Sequence, residues 1–444
     1  MTDYNDIEKQ YAEKEKSLRD EIEKKTGKSP EELYEEREKR IRDALSLREP
    51  DRVPVVMGGG YFASSYAGLS PSAVYYDPAS YREALKKTTL DFEPDCYVGG
   101  VAGGSSGLAL ELIDARQTKW PGGTLPPNVT HQFVEGEYMK EDEYDHFLSD
   151  PSDFIVRIYL PRIFGIMEPF SKLPPLNTLL AGNSLLGIAS LFTRPEFKHL
   201  AESLYKAGQE QDKSRKVMSN FEAQMTVLGF PPLYNGGGTG GAPFDAVSDF
   251  LRGMRGAMID MFRRPEELHA LIDMIHQWSL SRATPADPKR RGNPKRSFIA
   301  LHRGAAGFMS LKQFEEFYWP GLKKSLETTV ELGIVPMPFF EGSYEDRIEY
   351  LLELPKGKVA CHFEHMDMAK AKAILGDHMC IMGNVPSSIL QVGSPQDVED
   401  YCKNLIKVCG KGGGFILTNG SSIDEAKPEN IKAMVDSAKK YGVN

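Results

Sequence analysis

In the stretch PFFEGSYEDRIEYLLELPKGKVACHFEHMD, residues 338–367, three metal-binding side chains fall at the ends of apolar runs where they could converge: Glu341, His362 and Glu364. Glu341 follows an apolar run, and His362 and Glu364 close the next one. Side chains two apart in a strand share a face, so His362 and Glu364 point one way while Cys361 and Phe363 point the other. If the two runs are neighbouring parallel strands, Glu341 lies beside that pair. Carboxylate and imidazole donors suit zinc, and a catalytic zinc takes three protein ligands and keeps one position open. The competing reading is of solvated loop carboxylates paired with Arg347 or Lys370, and residue types alone leave both standing. His302, in ALHRG at 300–304, ends another apolar run, where a histidine can donate a proton. Tyr61 is the second candidate for that role. Tyr61, Phe62, Tyr234, Phe339 and Phe340 fall at strand ends or in adjoining loops, and together they suit a flat aromatic substrate. Asn384, in the run MCIMGNV, joins Phe62, Tyr234 and Phe339 as a substrate-binding candidate.

Placing these side chains at one mouth requires a particular chain layout. After residue 295 apolar runs alternate with amphipathic ones: strand SFIALH, helix 311–332, strand IVPMPFF, helix 344–354, strand KVACHFE, helix 366–376, strand MCIMGNV, helix 394–409, strand GFILTNG, helix 428–441. This alternation predicts parallel βα units. Ser394-Pro395-Gln396-Asp397 reads as a capping box, and Ile431, Met434, Val435 and Ala438 form an apolar stripe behind Pro428. With earlier strands at 53–57 and 95–100, the units number about eight. The fold class is therefore α/β, a (β/α)8 TIM-type barrel, whose chemistry sits at the C-terminal strand ends. Residues 1–48 read as a charged helical extension of two helices broken at GKSP, and 49–444 as the barrel, with a long Pro- and Gly-rich excursion at about 101–230.

Composition excludes several classes. The 444 residues carry 63 acidic against 54 basic side chains, a formal charge of -9, which leaves no basic footprint for nucleic acid. No run approaches the length of a membrane span and the first residues are charged, so a soluble cytoplasmic protein with no membrane partner is expected. A second copy of the chain is left open as a partner, as a homodimer. Five cysteines without CxxC spacing argue against a disulfide framework or a thiolate zinc knuckle, and Cys402 and Cys409 read as buried helix positions. The GxGxxG at Gly236, Gly238 and Gly241 runs on into helix with no second acid-ended strand, so it reads as a glycine loop beside the pocket.

GNVPSSILQVGSPQDVEDYCKNLIK, KGGGFILTNG and KPENIKAMVDSAKKYG resemble the uroporphyrinogen decarboxylase superfamily. The resemblance extends over about 295–442, with weaker likeness at 50–100 and 235–270. It implies a (β/α)8 barrel and either decarboxylation or zinc-dependent methyl transfer involving corrinoid proteins. The decarboxylases carry an arginine-rich segment resembling RQAGRY after the first strand, where this chain reads MGGGYFASSYAG. The coenzyme-M methyltransferases use an H-x-C motif and a later Cys, where this chain has Phe339-Phe340-Glu341 and Gly420-Ser421-Ser422. With Glu and His in place of those cysteines, the chain resembles the methyltransferase I components of anaerobic O-demethylases. That resemblance implies zinc held by Glu341, His362 and Glu364, an aromatic methyl ether as the small-molecule methyl donor, and a corrinoid (cobalamin) protein as partner. Transfer from another methyl donor, an altered decarboxylase, and a non-catalytic corrinoid- or tetrapyrrole-binding barrel remain alternatives.

Overall fold

The N-terminal charged segment forms two helices, Tyr4–Thr26 and Pro30–Leu45. The second starts at a capping box in which Ser29 and Glu32 satisfy each other's free amides, with Pro30 in the first turn. Its inner face is not apolar throughout. Glu38 is buried against Arg296, and Arg40 against Asp95, so the helix is tied to the N-terminal end of the barrel by ion pairs as well as by Ile41, Ala44 and Leu45. The chain is seen here as a computed structural model that describes residues 4–100, 104–180 and 182–443. The first residues of the extension, 1–3, and of the excursion, 101–103, lie outside the described residues.

Among the described residues, seven strands and one extended segment surround the core. They are β1 (Val56–Met57), β2 (Cys96–Tyr97), β3 (Lys295–Leu301), β4 (Ile334–Ser343), β5 (Ala360–His365), β6 (Cys380–Val385) and β7 (Phe415–Asn419). β3 to β7 form a parallel sheet in sequence order, and β1 pairs with β2 in parallel. The ring is completed by single bridges, Val55 to Leu417 on one side and Tyr97 to Pro232 on the other. Segment 231–236 takes the third place. The amides of Asn235 and Gly236 donate to the Arg296 carbonyl, and the Asn235 side-chain oxygen accepts the Arg296 amide at 2.9 Å, standing in for a main-chain carbonyl. This is the (β/α)8 TIM-type barrel expected, with a discontinuous ladder over its first three strands.

Cys361 and Phe363 pack outward into the helix layer, and Ala360, Cys380, Met382 and Ile416 pack into the barrel interior, as period-two alternation demands. The stripe Ile431, Met434, Val435, Ala438 is buried under the last helix, Pro428–Tyr441. All five cysteines are free and buried, which fits their sequence spacing. One expected helix is absent: 344–354 forms only a 3-10 turn at Ile348–Glu353. Arg347 is buried there and gives its guanidinium to the carbonyls of Gly304 and Met309, which holds the start of the segment against the preceding loop. Among the described residues no helix is long and apolar enough to cross a membrane.

Candidate functional site

A cavity of about 590 Å³ opens at the C-terminal ends of the strands. Tyr61, Tyr234, Phe298 and Phe339 supply an aromatic wall, in which the Phe298 ring lies 5.2 Å from Tyr234 and 6.2 Å from Phe339. Glu341, His362, His131 and Asp424 are the carboxylates and imidazoles of its described lining, in which no Lys or Arg occurs. The floor is tightly joined. Gly58 donates to the Asn419 side chain at 2.7 Å, and the 59–62 turn exchanges main-chain bonds with Ile423. Gly60 has φ 148°, and a Cβ there would strike the Ile423 carbonyl, so only glycine fits without movement.

His302, just beyond β3, belongs to a polar cluster that its own strand does not reveal. Its Nδ1 lies 2.6 Å from Asp249 Oδ2, and Arg303 holds the other Asp249 oxygen at 3.0 Å. Asp245 accepts the backbone amides of His302 and Arg303 at 2.9 and 3.0 Å and the Tyr318 hydroxyl at 2.7 Å. The Asp249 hydrogen bond pushes the His302 pKa up to about 9 against the cost of burial, with Asp245 and Glu341 adding to the rise. Burial pushes Asp245 up to about 6. It also raises Glu341, an effect that the His302 charge opposes. His302 is thus a cation at neutral pH, coupled electrostatically to the one carboxylate of the expected metal set that faces the cavity. Asp245 and Asp249 are four apart, in the helix Pro243–Val247 and the π turn Ser248–Arg252. That spacing in PFDAVSD was the available signal for them.

The expected zinc set is not assembled. β4 and β5 pair Phe340 with Phe363 and Ser343 with His365, so Glu341 and Gly342 together oppose Glu364. This bulge, with Gly342 at φ 78°, takes Glu341 out of step with its neighbour. The Gly342 amide donates to Glu364 Oε2 at 2.8 Å, and Glu364 faces a separate depression shared with Asn384 and Tyr401. His362 lines the aromatic cavity, but its Nε2 is 2.8 Å from the Asn419 carbonyl. Burial brings its pKa down to about 4, so the ring is neutral and Nε2 carries the proton. Its Nδ1 is then an acceptor, buried from solvent without a partner, and the Phe339 ring lies 4.6 Å from the imidazole. Among the described residues no three His, Cys, Asp or Glu side chains converge on a metal position. These residues do not fit the three-ligand zinc centre. Glu364→Ala is accordingly expected to leave the metal content of the purified protein at the wild-type value by elemental analysis, and loss of bound zinc would restore Glu364 as a ligand.

The other candidates divide. Tyr61, Tyr234 and Phe339 line the cavity. The Tyr61 hydroxyl is held by His131 and Tyr75, and burial raises its pKa further above the ordinary tyrosine value. Phe62 belongs instead to the apolar core, 5.6 Å from Tyr66 and 5.8 Å from Phe92 ring to ring, because the short helix Phe62–Tyr66 turns it inward. Phe340 likewise packs outward on Phe363. Asn384 lies outside the aromatic cavity: it lines the separate depression beside Glu364, and its amide donates to the carbonyls of Glu364 and Met366 at 3.2 and 2.9 Å. His131, within the excursion, was missed, since nothing in its neighbourhood is periodic.

Residues 235–441 match the sequence profile of the family Uroporphyrinogen decarboxylase (URO-D). The curated relatives include uroporphyrinogen decarboxylases from Chlorobium phaeovibrioides, 24% identical over 40% of this chain and 50% of the relative, and from Pseudoalteromonas atlantica, 32% identical over 17% of this chain and 21% of the relative. The chain thus spans about half the length of the first of these and less of the second. A methyltransferase from Methanosarcina mazei shares the fold at a TM-score of 0.54 and 14% identity, covering 90% of this chain and 98% of that one. Residues 235–441, which hold five consecutive strands, are thus similar to the uroporphyrinogen decarboxylase family.

Proposed function

We propose that the protein is a methyltransferase that takes the methyl group of an aromatic methyl ether and passes it to the Co(I) corrinoid of a separate protein. The observations that carry this reading are an aromatic cavity whose described lining has no Lys or Arg, and, outside that lining, a cationic His302 paired with Asp249 and coupled electrostatically to Glu341. A substrate bearing several carboxylates needs cationic partners, whereas a methoxylated ring needs apolar walls and a proton for its leaving oxygen. The reduced corrinoid, as the methyl-accepting substrate, supplies the nucleophile, so the chain needs none of its own.

The protein's task is then to bind and to manage charge. The aromatic wall holds the ring and excludes water. Breaking the O–CH₃ bond leaves the electron pair on the aryl oxygen, and the His302 proton meets the negative charge developing there. Asp249 keeps that proton on the imidazole between turnovers. No step is assigned to zinc, because Glu341, His362 and Glu364 are not gathered.

The reading is tested with a donor panel of methoxyphenols, methyl thioethers and N-methyl amines, incubated with a reduced corrinoid protein, following the demethylated product by chromatography. Release of the free phenol from methoxyphenols is expected. Release only from thioethers or amines would replace the substrate class, and decarboxylation of uroporphyrinogen without any methyl transfer would overturn the reading.

A further inference from the structure

The excursion between β2 and β3 contains a small hairpin, Thr118–Lys119 paired with Gln132–Phe133, and just before its second strand Thr130 and His131 reach the cavity wall. His131 is fastened there by one hydroxyl. Its backbone amide donates to Tyr61 Oη at 3.3 Å, and its ring Nδ1 lies 2.9 Å from the same oxygen. Tyr61 is 1% exposed, and its hydroxyl has one further neighbour, the Tyr75 hydroxyl at 3.3 Å.

One phenolic proton must be shared among these contacts. The amide can only donate, so it occupies a lone pair of Tyr61 Oη. Of the two remaining neighbours, imidazole nitrogen is the nearer and the stronger acceptor, and the Tyr61 proton goes to it. Tyr75 then donates to Tyr61 in turn. With Nδ1 accepting, the neutral ring carries its own proton on Nε2. His131 is exposed, and among the described residues no other hydrogen bond to its ring is made. Asp424, also on the wall, accepts the Tyr61 amide at 3.3 Å rather than the imidazole.

We propose that His131 is a substrate-contacting residue that offers Nε2–H to a second oxygen substituent on the methyl donor, with Tyr61 as its positioning residue. The inference rests on the methyl-ether reading for the identity of the ligand, but not for the state of the ring. It narrows the donor class from methoxyarenes in general to those bearing a further hydroxyl or methoxy oxygen. It also gives the excursion a chemical part in the site, and it gives Tyr61 a place other than that of proton donor.

Two measurements test it. Nitrogen NMR of the histidine-labelled full chain is expected to show His131 in the Nε2–H form, with that preference lost in Tyr61→Phe; a mixed tautomer in the wild type, or no change in Tyr61→Phe, would overturn the positioning role. Equilibrium binding, with no corrinoid protein present, then compares guaiacol with anisole. Loss of one neutral hydrogen bond corresponds to about tenfold in affinity. His131→Phe is expected to weaken guaiacol about tenfold and to leave anisole unchanged, and equal effects on both, or none, would overturn the contact. Failure of methyl transfer with both ligands would sink the proposed reaction while the NMR result still decides the state of His131.

Discussion

His302→Ala is expected to lower methyl transfer from an aromatic ether by about 10²-fold, the lower end of the range for a lost general acid. Folding should survive, since His302 is partly exposed and Asp245 binds its backbone rather than its ring. The pH dependence separates proton donation from mere bulk. The acid form of His302 persists until pH rises through about 9, so the wild-type rate should hold up to that range and fall above it. The same raised pKa contributes stability that is fully present below the ordinary histidine value and is lost as pH rises through about 9. Asp249→Asn removes the largest cause of the rise, and the fall in rate should move to lower pH. The facing groups, Asp245 and Glu341 as well as the neighbouring Arg303, are unchanged in that variant, so the displacement reports on Asp249. An unshifted profile would reduce the pair to a structural contact. Rates across pH 6 to 10, taken with a donor whose own hydroxyl is blocked, are the check.

The second large effect is on folding. Arg296 and Glu38 form a two-point ion pair at 2.7 and 2.9 Å, with side chains 0% and 3% exposed. Arg296 also donates to the carbonyls of Leu233 and Pro232 at 2.7 and 2.9 Å, so this one guanidinium ties the extension to segment 231–236. Glu38→Ala strands a buried cation and is expected to cost about 3–5 kcal/mol. Chemical denaturation should show a lower midpoint with an unchanged slope. The double variant Glu38→Met with Arg296→Met should be less damaged than the single one, because no lone charge is left, although two carbonyls lose a donor. A single variant as stable as wild type would mean that the extension is not an integral part of the barrel.

The barrel was most legible from β3 onward because each strand there is a continuous apolar run followed, except after β4, by a helix, in places with its own start signal such as Ser394-Pro395 or Pro428. β1 and β2 are short, and segment 231–236 pairs partly through the Asn235 side chain, which leaves no periodic trace. In the site, Glu341, His362, Tyr61, Tyr234 and Phe339 were placed on one cavity by strand-end reasoning. Glu364 was misplaced because alternation assumes an unbroken ladder, and the extra residue at Gly342 breaks it. Phe62 and Asn384 show a different limit: a residue beside a strand end can as readily brace the backbone as face the opening. Asp249 came from a helix read as generic, and only the fold brings it to His302.

The central claim is methyl transfer from an aromatic ether, and the cobalt spectrum tests it most directly. Full-length protein is mixed with a corrinoid protein reduced to Co(I) and with guaiacol, and absorbance is followed in a single turnover, with uroporphyrinogen in a parallel reaction. The account predicts conversion of Co(I) to methyl-Co(III) with guaiacol, and slower conversion with His302→Ala. A Co(I) spectrum unchanged by every methyl donor, beside decarboxylation of the porphyrinogen, would contradict it.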